Sequence, residues 1–128
     1  MSSALVFISR NRIKEGKAND FQKHYRDSVP AIEAGKPGTL VQLAFVSADA
    51  TEVDIVRLFP SPEGLDLQLQ GAEERSKKTY EFIQPTRIEI YGRPSDAAME
   101  RLEEIAGSGV EVSVKPDFMG GFLRLKAG

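Results

Sequence analysis

Hydrophobic positions along the chain alternate between the two-residue rhythm of strands and the three-to-four-residue rhythm of helices. Leu5-Val6-Phe7-Ile8 is an unbroken apolar run, the mark of a strand covered on both faces. Glu15-Gly16 turns the chain into a helix expected over 17–34, where Ala18, Phe21, Tyr25, Ser28, Val29 and Ile32 form one stripe. Pro30 lies inside that stripe and predicts a kink or break, and Gly35-Lys36-Pro37-Gly38 ends the helix. A second strand over 39–47 places Val41, Leu43 and Phe45 on one face and Leu40, Ala44 and Val46 on the other. Asp49-Ala50-Thr51 forms a short polar turn into a third strand over 52–59, so the two should pair as a hairpin. There Val53, Ile55 and Phe59 share a face with Arg57, a charge that needs a partner or water.

Ser61 as cap and Pro62 at the first helical position start a second helix, expected over 62–83 with an interruption near Gly71. A fourth strand is expected over 87–91 and a third helix over 96–106, with Ala98, Met99, Leu102, Ile105 and Ala106 as its apolar side. Val110, Val112 and Val114 then alternate with Glu111, Ser113 and Lys115, a strand with one wet face. A last segment over 118–125 carries Gly120-Gly121 as a bulge or bend. Residues 1–92 thus read βαββαβ, the order of an α+β, ferredoxin-like sandwich with two helices on one face of an antiparallel sheet. The chain is read as a single domain over 1–128: a core over about 4–92 and an extension over about 93–128 that adds a helix and one or two strands. Strands apolar on both faces need more cover than that extension offers, and a second copy related by a two-fold axis would supply it.

Composition narrows the function classes. With 41% apolar and 28% charged residues, the 128-residue chain matches a soluble globular protein, and no apolar run reaches the roughly 18 residues of a spanning helix. No signal-peptide pattern opens it, so a cytoplasmic protein that engages no membrane is expected. A net charge of −2 with interspersed signs argues against nucleic acid. No cysteine and a single histidine leave no thiolate chemistry and little for a metal.

Several short motifs carry a resemblance. Val6-Phe7-Ile8-Ser9-Arg10-Asn11-Arg12, the Ile13-Lys14-Glu15-Gly16-Lys17 turn, Phe21, Pro37-Gly38-Thr39 and Phe59-Pro60-Ser61-Pro62-Glu63 follow one another at family spacing. In these the chain resembles the antibiotic-biosynthesis-monooxygenase-like domains of the dimeric α/β-barrel superfamily, over about residues 4–92. Glu89-Ile90-Tyr91-Gly92-Arg93-Pro94 and Gly120-Gly121-Phe122-Leu123-Arg124 resemble the tail of an extended subgroup. The resemblance implies a homodimer with a pocket between sheet and helices in each subunit. It also implies oxidation of polycyclic phenols or quinols by dioxygen, with neither metal nor flavin. Other relatives degrade haem, and many have no established activity. Where the family often has a histidine followed by leucine early in the second helix, this chain has Gln68-Leu69. The absence of tryptophan disfavours the haem-degrading branch.

The candidate chemistry stands beside plainer readings. As function, His24 would serve as the base that ionises a phenol, since histidine ordinarily titrates near neutrality; the plainer reading is a boundary residue at the edge of a buried stripe with one nitrogen in water. Arg57 would hold a phenolate or carboxylate in the pocket, or else lie in a dimer interface beside Asp54 or Glu52 of a second copy. Asn11, with Ser9 on its face, would donate to a carbonyl or peroxide oxygen, or simply satisfy nearby backbone. Tyr25, Tyr80 and Phe82 would line an aromatic cavity, or belong to the core. The reading these favour is an oxygenase without bound cofactor, acting on a small aromatic, quinol or polyketide-type molecule. The alternative is a non-catalytic dimeric protein that binds a small molecule.

Overall fold

A computed structural model describes residues 4–71, 74 and 76–124. Its elements are β1 (Leu5–Ile13), α1 (Ala18–Gly35), β2 (Val41–Val46), β3 (Glu52–Phe59) and α2 (Pro62–Leu69), then a 3-10 turn (Thr79–Glu81), β4 (Ile83–Tyr91), α3 (Asp96–Gly107) and β5 (Glu111–Lys115). Among the described residues the strands form one sheet of order β2-β3-β1-β4-β5. β1 pairs antiparallel with both β3 and β4, and β2 pairs antiparallel with β3. This is the ferredoxin-like α+β sandwich expected from the element order. The extension contributes α3 and one strand, β5, which adds parallel to β4 at the sheet edge.

Three expectations are corrected. α1 runs through Pro30 to Gly35 without a break. The second helix is interrupted near Gly71 as expected, α2 ending at Leu69 and Gly71 taking a φ of 67°, but it does not run on to 83, because Thr79–Glu81 form a 3-10 turn. Residues 83–86, expected to end that helix and form a turn, are instead the first half of β4. Ile83 pairs with Ile13, and Pro85 sits at a register shift beside Asn11, where a missing donor is tolerated. The segment 116–124 has no regular structure, and Leu125, like residues 72, 73 and 75, lies outside the described residues.

On the helix side the core is divided. Leu5, Phe7, Phe59, Ile88 and Ile90 of the sheet pack with Leu65 and Leu69 of α2 and Ala98 and Leu102 of α3. Ile13, Val53 and Ile83 pack separately with Phe21 of α1, flanked by Tyr25, Ala44 and Phe82. Ser95 caps α3, its hydroxyl accepting from the Ala98 amide at 3.1 Å while donating to Asp66 at 2.6 Å. Gly64 allows α2 to approach: a Cβ there would lie 2.7 Å from the Gly38 carbonyl oxygen and 2.8 Å from Phe59 Cβ.

The outer face is apolar at one end and charged at the other. Val41, Leu58, Val6 and Tyr91 form one cross-strand row, and Leu43, Val56 and Ile8 the next. Beyond them Arg10 reaches Asp54 at 2.6 Å and Glu89 at 3.0 Å, and Arg87 reaches Glu89 and Glu111 at 2.9 Å each. Glu89 is the junction of this ladder, which links β3, β1, β4 and β5. Its carboxyl is held below the ordinary value, chiefly by the hydrogen bond from Arg87 and next by that from Arg10.

Gly64→Ala reverses the usual helix-propensity gain. The methyl group overpacks rigid backbone, so the variant should be less stable by about 1–3 kcal/mol, read as a lower urea midpoint with unchanged slope. Glu89 has a depressed folded-state pKa, so its stabilisation is complete above the unfolded value and is lost as pH falls through the folded one. Melting temperatures of wild type and Glu89→Gln should therefore differ at pH 7, converge below about pH 4.5 and coincide once Glu89 is protonated.

Candidate active site on the helix-covered face of the sheet

The two core clusters leave a polar seam between them. Register places Phe7, Arg57 and Gln42 in one cross-strand row and Ser9, Ile55 and Ala44 in the next, all facing the helices. Arg57 is held there by packing and by hydrogen bonding. Its guanidinium carbon lies 5.2 Å from the Phe7 ring centroid, and its Nε donates to Gln42 Oε1 at 3.2 Å. Gln42 Nε2 in turn donates to the Tyr25 hydroxyl at 3.3 Å, so one amide joins β3, β2 and α1. Beyond Tyr25 the helix stripe is not buried: Phe21 is the one buried residue of α1, and Val29 is exposed. The C-terminal half of α1 thus leaves the Arg57 end of the seam open to solvent. Near that end Lys36 donates to the buried Gln68 at 3.0 Å.

Asn11 is buried, and its Nδ2 faces the carbonyls of Ser9 at 3.2 Å and Val53 at 3.3 Å, with Ser9 Oγ at 3.4 Å. The amide is therefore committed to main chain at the β1 irregularity. His24 faces away from Tyr25's string: its Nε2 is 3.0 Å from Thr79 Oγ1, and its ring lies 5.3 Å from that of Phe82. Phe82 and Tyr25 flank Phe21 with centroids 6.5 and 6.1 Å away. Tyr80 exposes much of its side chain, and its carbonyl accepts from Lys14 at 2.7 Å.

The structure thus links Arg57 with Tyr25, Ser9 with Asn11, and His24 with Phe82, as neighbouring pairs rather than one constellation. Gln42 is the member that sequence reading missed. Its signal was present, because the hairpin turn sets Gln42 opposite Arg57 and two positions before the inward-facing Ala44. Thr79 was missed because the chain near it was read as continuous helix.

No protein-family model and no curated protein matches the chain. Solved structures do. MupZ from Pseudomonas fluorescens superimposes with a TM-score of 0.70 at 16% identity, over 97% of this chain and 91% of that one. A candidate antibiotic biosynthesis monooxygenase from Caulobacter crescentus CB15 gives 0.58 at 19% identity, over 69% and 87%. SnoaB, a cofactor-independent oxygenase from Streptomyces nogalater, gives 0.58 at 11% identity, over 73% and 95%. This chain has the antibiotic-biosynthesis-monooxygenase-like fold. The shares covered by SnoaB and the Caulobacter protein are the size of the βαββαβ part of the monooxygenase-like fold, whereas the MupZ match must include most of the extension as well.

Asn11→Ala removes an amide that ties the β1 irregularity to β3. A loss of about 1–3 kcal/mol in stability should follow, measured by denaturant unfolding. An unchanged midpoint would free Asn11 from that structural duty.

Proposed function

We propose that the protein is a monooxygenase that uses dioxygen without metal or bound organic cofactor and acts on a small aromatic, quinol or polyketide-type molecule in the helix-side seam. The observation that carries this reading is the Arg57–Gln42–Tyr25 string, which holds a cation on the helix-covered face of the sheet. A substrate phenol or enol that loses its proton there gains a cationic partner in Arg57. His24 is the proposed base, acting from the flank of the same helix, with Tyr25 and Phe82 lining the aromatic side of the pocket and Tyr80 at its rim. Ser9 and Asn11 border the seam, where the Ser9 hydroxyl is a donor for oxygen that becomes negatively charged. The ionised substrate supplies all four electrons that dioxygen takes up. One oxygen atom enters a ring methylene as a carbonyl, and the other leaves as water with the two displaced hydrogens.

Dimerisation belongs to the proposal. Leu43 and Phe45 are 51% and 62% exposed on the outer face, beside Val56 and Ile8, and a second copy would cover these rows. A second reading, a non-catalytic dimeric protein that binds a small molecule, is favoured by the commitment of Asn11 to backbone and of His24 to Thr79.

Oxygen uptake with a panel of anthrones and quinols separates the two. On the oxygenase reading, wild type consumes oxygen in the presence of chelator, and His24→Ala lowers turnover about 10²–10⁴-fold while keeping its melting temperature. Arg57→Gln should raise KM and lower kcat together. Saturable binding of the same compounds with no oxygen consumption establishes the binding reading instead. Full turnover by His24→Ala removes His24 from the mechanism.

A further inference from the structure

The hydrogen bonds of the helix-side seam run in a fixed direction. Arg57 Nε has a hydrogen and no lone pair to offer, so the group it meets at 3.2 Å must accept. That requirement turns the Gln42 amide oxygen toward Arg57 and leaves the amide nitrogen toward Tyr25. The nitrogen can only donate, so the Tyr25 hydroxyl oxygen, 3.3 Å away, is the acceptor. The direction follows from donor and acceptor identity alone, whatever else Arg57 touches. A phenol hydroxyl has one hydrogen, and here it cannot point back at Gln42. Among the described residues no acceptor takes it.

The ring that carries this hydroxyl is held in place. Tyr25 packs against the buried Phe21, with centroids 6.1 Å apart. Tyr25 itself is half-buried, whereas Arg26, Asp27 and Val29 beyond it on α1 are exposed. Its hydroxyl therefore stands where the covered part of the seam meets the open end. Other polar side chains of the candidate site are occupied, Asn11 by main-chain carbonyls and His24 by Thr79. A hydroxyl whose oxygen already accepts, and whose hydrogen no protein group takes, selects a ligand oxygen that accepts. An anionic oxygen is the strongest such acceptor.

We propose that Tyr25 is the hydroxyl donor that receives the substrate's ionised oxygen, and that Gln42 is the positioning residue that sets its direction. Arg57 supplies charge, and Tyr25 supplies a single directed hydrogen bond to a phenolate or enolate. The site thus takes up the ionised form in preference to an ether of the same shape. The inference rests on the proposed function in seating the ligand in the helix-side seam, and it does not require that the ligand be oxidised.

The experiment is a titration of the full chain with para-nitrophenol at a pH where the probe is ionised, read by its absorbance, with para-nitroanisole as the uncharged control. Wild type should bind the phenolate saturably. Tyr25→Phe should weaken that binding about 10–100-fold, the range of a hydrogen bond to a charged group, and leave anisole binding within about twofold. Gln42→Glu places a carboxylate that accepts from Arg57 and Tyr25 alike, so the hydroxyl turns inward and phenolate binding falls. Adding Tyr25→Phe to that variant should then cost nothing further, a non-additivity that a merely bracing residue does not produce. Phenolate binding unchanged by Tyr25→Phe overturns the proposal, as do additive losses or an absence of saturable binding by wild type. Should Tyr25→Phe unfold, Gln42→Glu alone decides, since undiminished binding by it overturns the idea too. Oxygen uptake is scored separately. Phenolate binding that needs Tyr25, without oxygen consumption, keeps this inference and sinks the oxygenase, whereas anthrone turnover untouched by Tyr25→Phe does the reverse.

Discussion

A guanidinium on the covered face of a sheet must be paired or hydrated, because leaving it bare in apolar surroundings costs far more than one hydrogen bond returns. How Arg57 is accommodated shapes the whole helix side of this fold. Phe7 takes one face of the cation, Gln42 takes its Nε, and Tyr25 takes the other end of Gln42. Those contacts occupy space that aliphatic side chains would otherwise fill. The apolar packing is therefore split, one part under α2 and α3 and the other under the first turns of α1. The long helix α1 is moored chiefly by Phe21, with Val29 in solvent. The polar seam through the middle of the layer centres on one charged residue.

The outer face solves a different problem with different means. Near the β2 end it is apolar and open, and near the other end it is shielded by the strap that follows β5. Beyond the apolar rows stands the Arg10–Glu89–Arg87 ladder, which ties four strands together. Each exposed ion pair alone contributes little, but Glu89, shielded and shared by two arginines, anchors the set. Apolar rows beside an ordered charge ladder give this face a direction, so a partner can meet it in few registers.

Much of this was legible in the sequence where periodicity was strong. The two-sided apolar run of β1, the alternating faces of β2 and β3, the shared face of Arg57 with Val53, Ile55 and Phe59, and the valine alternation of β5 all appear as read. Failures fell where local signals compete with tertiary pairing. Pro85 reads as a helix stop, yet it sits in β4 because the β1 irregularity at Asn11 leaves it no donor to supply. Pro30 reads as a helix breaker, yet α1 passes through it on a loosely packed, solvent-facing stretch where one lost hydrogen bond is tolerated. The seam was half visible. Arg57 was noticed as a charge among apolar neighbours, but Gln42 became meaningful only once the hairpin register set it opposite. His24, conspicuous as the single histidine, turned out to face Thr79 and Phe82 rather than the Arg57 string.

The central position of β1 also has a temporal side. Its two neighbours are β3 and β4, and the Arg10 contacts that span them bridge 44 and 79 residues of sequence. Among the described strands the β2–β3 hairpin is the one pairing joined by a short turn, so it can form by local collapse. Every other pairing requires a long loop to close before any contact offsets its entropy. The first strand made is therefore among the last to be locked in. Until β4 arrives, an apolar strand with an unpaired edge stands exposed, and this interval is when the chain is most open to self-association.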